Sequence, residues 1–291
     1  MKPKHLALVL LIMVLYGSSY PVGKIGINHD IPPLLFSSLR VGLIFLAFLP
    51  FFRFRLPEKK LRLPLIGFSL IMGMGVYPMV YFALDRSELV APIIIGAQVS
   101  IPFGIMFGLF FLGEKVSFIK WALIATSFLG IVIIAYDPRL IDDKIALIYV
   151  VTMAFFYALA NMMARVLKDV ETSILNGWHF LSFVPLALLS IYFEGNPLNY
   201  IYPIDPGFML VLLHQALVVS LIGHGAMFYL YKFYPVATVL PFYSLFPIFG
   251  IILAFIIFNE TLSIHEVIGG LLVLGSVYLI HQQNKKEALS N

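Results

Sequence analysis

Runs of about twenty residues without a charge recur along this chain, a length that just spans a bilayer as a helix. Residues 89–112, LVAPIIIGAQVSIPFGIMFGLFFL, are the plainest case. Charges, Pro and Gly punctuate such runs into ten expected helices: roughly 6–27, 33–52, 64–84, 89–112, 117–136, 145–167, 174–193, 207–232, 235–258 and 263–281. Of 291 residues, 61% are hydrophobic and 12% charged, against about half and about a quarter in soluble domains. Ten spans use about 200 residues and leave about 90 for short connections and tails, so no separate soluble domain is expected. A cytosolic enzyme is excluded, and the chain reads as an all-α integral membrane protein. It has no cysteine, which removes disulfides, thiolate metal sites and cysteine nucleophiles.

The first run follows Lys2 and Lys4 and reaches the small residues Gly17, Ser18 and Ser19, a layout shared with signal peptides. Its apolar character continues past Gly17 and it has a partner later in the chain, so it is read as a retained span. With ten spans both termini share one side, and the basic residues choose which. Cytoplasmic termini put Lys2, Lys4, Arg53, Arg55, Lys59, Lys60, Arg62, Lys115, Lys120, Arg165, Lys168, Lys232, Lys285 and Lys286 inside, and only Lys24, Arg86, Arg139 and Lys144 outside. Fourteen against four, with Arg40 left within the second helix, exhausts the 19 basic residues and predicts a multi-pass inner-membrane protein with both ends cytoplasmic. The net charge of +4 is a topology signal, and no nucleic-acid partner is expected.

An internal repeat underlies this count. A shift of 146 lays residues 82–117 over 228–263 without a gap, and Phe82/Phe228, Leu84/Leu230, Val90/Val236, Ala91/Ala237, Phe103/Phe249, Gly104/Gly250, Ile105/Ile251, Glu114/Glu260 and Ser117/Ser263 are identical. A shift of 141 pairs Tyr16 with Tyr157 and Lys24 with Arg165. The expected organisation is a first repeat over 1–140, a second over 141–284 and a cytoplasmic tail over 285–291. Five helices per half means that the second half enters the membrane inverted, as in secondary transporters whose solute site lies near the midplane between the halves.

With these segments in view, the chain resembles the EamA family of the drug/metabolite transporter superfamily. The resemblance rests on VLYGSSYPVGKIGI and IPPLLFSSLRVG near the start, FALDRSELVAP through FLGEKVSFIKWALIATSFLGI in the middle, and VLPFYSLFPIFGIILAFIIFNETLS towards the end. The duplicated apolar runs that close in Gly113-Glu114 and Asn259-Glu260 are its most specific element. The IPPLL–LR segment, the Gln98 region and the Pro241 to Pro247 spacing are most similar to the cysteine/O-acetylserine exporter type. The chain departs from the family in having Tyr16-Gly17 in place of the common W-G pair, and in adding His224. The resemblance implies a ten-helix carrier that moves small metabolites outward by alternating access, with no cofactor.

Several side chains could serve such a carrier. Tyr16, Tyr20 and Lys24 fall at i, i+4 and i+8 on one face of the first helix, and Tyr157, Asn161 and Arg165 repeat the stripe on the sixth. They read either as cavity phenols and an amide with a cation at each mouth, or as interfacial tyrosines and snorkelling cations. Tyr77, Tyr81, Gln98, Tyr243 and Ser244 fall in the same depth range beside Pro78, Pro102, Pro241 and Pro247, where prolines free backbone carbonyls. Gln98 and Ser244 are expected to face the cavity, although polar residues also tie helices together. Gly104 and Gly108 form a GxxxG, expected as a helix contact.

Charge inside the membrane is confined to few positions. Arg40, about seven residues into the second helix, must face protein or water and reads either as a structural pairing or as a partner for a solute carboxylate. His179, His214 and His224 could couple proton movement, or could be hydrogen-bonded structural groups; His281 is expected at the interface. Asp85, Glu88, Glu114, Glu194, Asp205, Glu260 and Glu266 all fall at helix ends or in loops, so no carboxylate stands at the membrane centre. That disfavours exchange of protons for lipophilic cations and favours neutral or zwitterionic solutes. No Walker, HExxH or GxSxG motif is present.

The expected function is secondary-active export of amino acids or related small metabolites, with the lipid bilayer and the solute as partners and a monomer as the expected state. The alternatives are a carrier of cationic drugs or of another metabolite class, including uptake. A membrane enzyme would gather His, Asp or Glu at one face, whereas the acids here are scattered over both.

Overall fold

The computed structural model describes residues 2–50, 56–112, 117–140, 143–167, 170–231, 233–234 and 240–290. Among them the regular structure is helical, as the sequence predicts. The main helices are α1 (Pro3–Ile27), α2 (Pro33–Phe48), α3 (Lys59–Arg86), α4 (Ala91–Phe111), α5 (Phe118–Ala135), α6 (Lys144–Val166), α7 (Trp178–Glu194), α8 (Pro206–Gly223, continued by His224–Tyr231), α9 (Phe246–Phe258) and α10 (Ile264–Ser290). Seven are long and apolar enough to cross a membrane; α2, α7 and α9 are shorter apolar helices. The helix starts are written locally. Pro3, Pro33 and Pro206 occupy the first turns of α1, α2 and α8, where a missing N–H costs nothing. Asp205 caps α8 by accepting the Gly207 amide at 2.7 Å. The tenth helix runs on to Ser290, through most of the segment expected as a tail.

Polar contacts gather alternate connections at one end of the bundle. His29 meets Asp205 at 2.5 Å, Lys24 donates to the Leu84 and Ser87 carbonyls at 2.8 Å each, and the Glu88 amide donates to Asp143 at 3.0 Å. Arg139 donates to the Thr261 carbonyl at 2.8 Å. The opposite end carries the chain start, where the Lys2 amide and the His5 ring reach the Tyr234 hydroxyl at 3.0 and 2.8 Å. Successive helices therefore run antiparallel.

Small residues let the helices close. A Cβ on Gly17 would stand 2.6 Å from the Phe246 carbonyl oxygen and 2.7 Å from the Gly250 nitrogen, so α1 and α9 touch backbone to backbone. Gly130 and Gly269 do the same for α5 and α10, at 2.6 Å from a Gly130 Cβ to the Gly269 carbonyl. Gly104, expected as half of a helix contact, instead faces open space with no atom within 4 Å of its Cβ position. Spacing alone nominates a small-residue face without saying that a neighbour covers it.

Two pairs of helix irregularities stand at positions related by the same shift of 146. Ile71–Val76 in α3 and His214–Gly223 in α8 widen into π-helix, and Ala97–Val99 in α4 and Leu240–Leu245 before α9 tighten into 3-10 turns. Local unwinding of this kind frees or redirects backbone groups and tends to mark functional positions.

Two carboxylates at helix ends are committed to other helices. Glu194, closing α7, accepts the Leu34 and Leu35 amides at 2.8 and 2.9 Å and the Ser190 hydroxyl at 2.9 Å, so it caps α2 from across the bundle. Glu260, after α9, accepts the Val90 and Ala91 amides at 2.9 and 2.8 Å and caps α4. Burial pushes the Glu260 carboxyl above its usual range, against the pull of the two amides. Glu194→Ala is expected to destabilise the fold by about 2 kcal/mol, since charge-assisted bonds to two otherwise orphaned amides are lost. Thermal melting in detergent, against the exposed Glu88→Ala as control, measures it.

Candidate functional site

The buried polar centre is built around Arg40. Position 40 lies two turns into α2, and the side chain is 5% exposed. Nη1 donates to the Tyr81 hydroxyl at 3.0 Å and Nη2 reaches the Ser220 hydroxyl at 3.5 Å, the outer limit of a hydrogen bond. The guanidinium carbon stands 4.5 Å from the centre of the Tyr77 ring and 6.0 Å from that of Tyr81. Tyr77 and Tyr81, four residues apart on α3, thus present a face and a hydroxyl to the same cation. Tyr81 is held in turn by Phe36, stacked on it at 4.1 Å. Arg40 Nε has no hydrogen-bond partner among the described residues.

A second network joins α1 to α8 beside this cation. Ser18 meets His214 Nε2 at 3.1 Å, the Ser19 hydroxyl donates to Gln215 Oε1 at 3.0 Å, and Gln215 Nε2 returns a bond to the Ser19 carbonyl at 2.7 Å. Ser220 donates to the Gln215 carbonyl five residues back at 3.1 Å, the spacing of the π-helical segment that holds both. His214 and Tyr20 lie within electrostatic reach of Arg40, and Tyr157 within reach of Tyr20. Ser18, Ser19, Arg40, Tyr77 and Tyr81 from one half and His214, Gln215 and Ser220 from the other therefore converge at one place.

The residues expected from the sequence divide. Arg40, Tyr77, Tyr81 and His214 enter the centre, with Tyr20 and Tyr157 at its edge. Tyr16 leans on Tyr243 at 5.8 Å, and Tyr20 lies parallel to Phe246 at 6.3 Å, so α1 presents its tyrosines to the α9 side. Lys24 does not continue that stripe, because eight residues rotate a helix face by about 80°, and its ammonium caps the end of α3 rather than a mouth or a headgroup. Gln98 is buried in the 3-10 turn of α4, and no described contact ties it to Arg40. Asn161 is exposed on α6 and stands outside the centre, although it shares a periodic face with Tyr157. His179 is buried behind Tyr77, with ring centres 6.4 Å apart, and against Phe68 at 5.2 Å. The side chains of His224, Ser244 and Arg165 lie outside the described residues.

Sequence reasoning missed Ser19, Gln215 and Ser220 as members. Their signal was a polar residue beside His214 and another five residues on, a spacing that a regular helix would put on different faces. A cavity of ≈ 460 Å³ lies elsewhere, walled by Leu34, Phe82, Leu189, Phe193 and Glu194, and none of the expected site residues lines it. Among the described residues no group of three or more His, Asp or Glu is placed to hold a metal.

Comparison with known proteins fits this architecture. The EamA-like transporter family matches residues 4–136 and again 144–282, nearly the whole chain in two copies. The chain belongs to the EamA-like transporter family. Membership makes it a membrane transporter rather than an enzyme. A relative from Escherichia coli (strain K12), named "Probable amino-acid metabolite efflux pump", is 26% identical over 96% of this chain and 95% of its own length. One of the same name from Salmonella typhimurium is 26% identical over 94% and 93%. "Uncharacterized transporter YoaV" of Bacillus subtilis (strain 168) is 26% identical over 65% and 67%. A solved crystal structure at 14% identity superposes with a TM-score of 0.62, covering 96% of this chain and 98% of that one, and so shares the fold.

Proposed function

We propose that the protein is an inner-membrane exporter of amino acids or related small metabolites, working by alternating access between two inverted five-helix halves of ten spans in all, with both termini cytoplasmic. The observation that carries this reading is the Arg40 centre. It is buried, polar and assembled from both halves: Arg40, Tyr77 and Tyr81 come from the first, and Gln215 and Ser220 from the second. A solute held there would bridge the halves, and its binding would bias them between inward and outward states. The π-helical segments on α3 and α8, related by the repeat shift, flank the centre from either half and support the inverted arrangement. The end of the bundle where the alternate connections gather holds Lys24, Arg86, Arg139 and Lys144, and the basic bias elsewhere favours a cytoplasmic chain start.

The relatives' names favour amino-acid metabolites over cationic drugs, as does the basic rather than acidic centre. Counterflow in proteoliposomes tests the reading with labelled cysteine, O-acetylserine, glutamine and aromatic amino acids. Saturable exchange of at least one is the expected result, lost in Gln215→Ala. Absence of exchange for all, in vesicles with verified insertion, would overturn the amino-acid assignment. Repeating the assay against an imposed pH gradient tests proton coupling, for which an unchanged rate is the negative outcome.

A further inference from the structure

Arg40 is a buried cation whose described surroundings contain no anion. The groups that bear on its charge are the phenols of Tyr81, Tyr77 and Tyr20 and the His214 ring, none of them an anion. The acidic side chains described nearest the bundle ends are occupied elsewhere: Glu194 on α2, Glu260 on α4, Asp137 and Glu266 on Arg139, and Asp205 on His29. A cation taken out of water without a counter-ion carries a penalty of several kcal/mol, of which a ring face and neutral hydrogen bonds return only part. Among the described residues Arg40 Nε nevertheless has no partner, while Tyr81 and Ser220 hold the two terminal nitrogens and fix the plane of the guanidinium. A purely structural arginine would be expected to spend its whole fork on carbonyls or a carboxylate, as Arg139 does on Asp137, Glu266 and Thr261.

We propose that Arg40 is the residue that recognises a free carboxylate on the transported solute. The edge that carries Nε is the one left to donate to it, and a guanidinium edge matches a carboxylate in a paired, planar fashion that an ammonium does not reproduce. Tyr77 beneath the guanidinium and Tyr81 at its end act as positioning residues. The neighbouring Ser19–Gln215 and Ser18–His214 pairs supply neutral donors and acceptors to the rest of the solute. This deepens the exporter reading and rests on it, since the site is closed in this conformation and the halves must part for a solute to enter. It predicts discrimination by the acid group itself: an amino acid is taken, and the same molecule as its carboxamide is refused.

The test compares amino acids with their carboxamides on the full-length protein, by inhibition of counterflow and by ligand-induced shift of the melting temperature in detergent. In the wild type each effective amino acid should outcompete its carboxamide by about 30-fold, the range of one charged hydrogen-bonded contact. Arg40→Gln should bring that ratio to about 3 or less, and Arg40→Lys should lie between, because the charge remains and the fork is lost. Unequal loss of acid over amide is the readout that a merely structural arginine would not give, since misfolding weakens both alike. Equal potency of acid and carboxamide in the wild type overturns the proposal even if neither variant folds. A folded Arg40→Gln that keeps the 30-fold ratio also overturns it. If no amino acid exchanges but short carboxylic acids shift the wild-type melt and their amides do not, the amino-acid reading fails while the carboxylate assignment stands.

Discussion

Gly17→Leu is expected to abolish transport and to lower stability by about 3 kcal/mol, the upper part of the range for overpacking. The atoms in the way of its Cβ are the Phe246 carbonyl oxygen, the Gly250 nitrogen and the Phe249 Cβ, at 2.6, 2.7 and 3.1 Å. Two are backbone, so no rotamer change relieves the clash and α1 must move off α9. That movement also separates Tyr16 from Tyr243 and Tyr20 from Phe246, which meet across the same contact. Within a membrane such helices are held by close packing, not by exclusion of water, and a separated pair finds little elsewhere to replace it. Gly104→Leu is the control. The repeat shift equates Gly104 with Gly250, but its Cβ position is open, and its change should stay within about 0.5 kcal/mol. Melting in detergent and counterflow in vesicles measure both; equal behaviour of the two variants would refute the contact.

Arg139→Ala should destabilise the protein by about 1–3 kcal/mol at neutral pH: the carboxylates it serves are buried, but its own side chain is 36% exposed, which puts the loss below that of a fully buried ion pair. Arg139 donates to Asp137 at 3.0 Å, to Glu266 at 2.5 Å and to the Thr261 carbonyl at 2.8 Å. The carboxylate side chains are 1% and 0% exposed, and Ser263 donates its hydroxyl to Asp137 as well. Burial alone would raise the Asp137 carboxyl; the bonds from Arg139 and Ser263 outweigh it and hold the group down to about 2. A depressed acid stabilises the fold above its unfolded value of about 4 and loses that contribution as pH falls towards its folded one. The wild-type melt should therefore be flat from pH 8 to pH 5 as far as this cluster is concerned. Without the guanidinium Asp137 loses bonds that hold its carboxyl down while its burial, which raises it, remains, so the variant should recover stability as pH falls over the same interval. A deficit of the same size at pH 8 and pH 5 would count against this account.

Much of the fold was legible because a bilayer-length apolar run bounded by charge or proline admits few readings. The observed helices fall within two residues of the expected edges at Pro33, Arg86 and Pro206, while α3 begins at Lys59, five residues before its expected start. What escaped was whatever depends on how helices rotate against each other. Arg40, Tyr77 and Tyr81 could each be picked out, but nothing in their spacing says that α2 turns its cation onto the α3 rings. Gln215 and Ser220 look like ordinary intramembrane polar residues until the π-helical turn brings them together. Asn161 shares a helical face with Tyr157 and is nevertheless exposed, since periodicity defines a face and not the neighbour that covers it. Glu194 and Glu260 were placed at helix ends, as expected, while the distant helix that each one caps is a matter of tertiary contact.

Those two carboxylates also set an order of assembly. Glu194 and Glu260 both belong to the second half of the chain, and the amides they satisfy open α2 and α4 in the first. A ribosome delivers α2 and α4 to the bilayer long before either acid has been synthesised. The early helices must wait, their first turns leaning on water or lipid headgroups, until α7 and then α9 arrive. A chain truncated after residue 140 would therefore lack both of the carboxylates that cap α2 and α4.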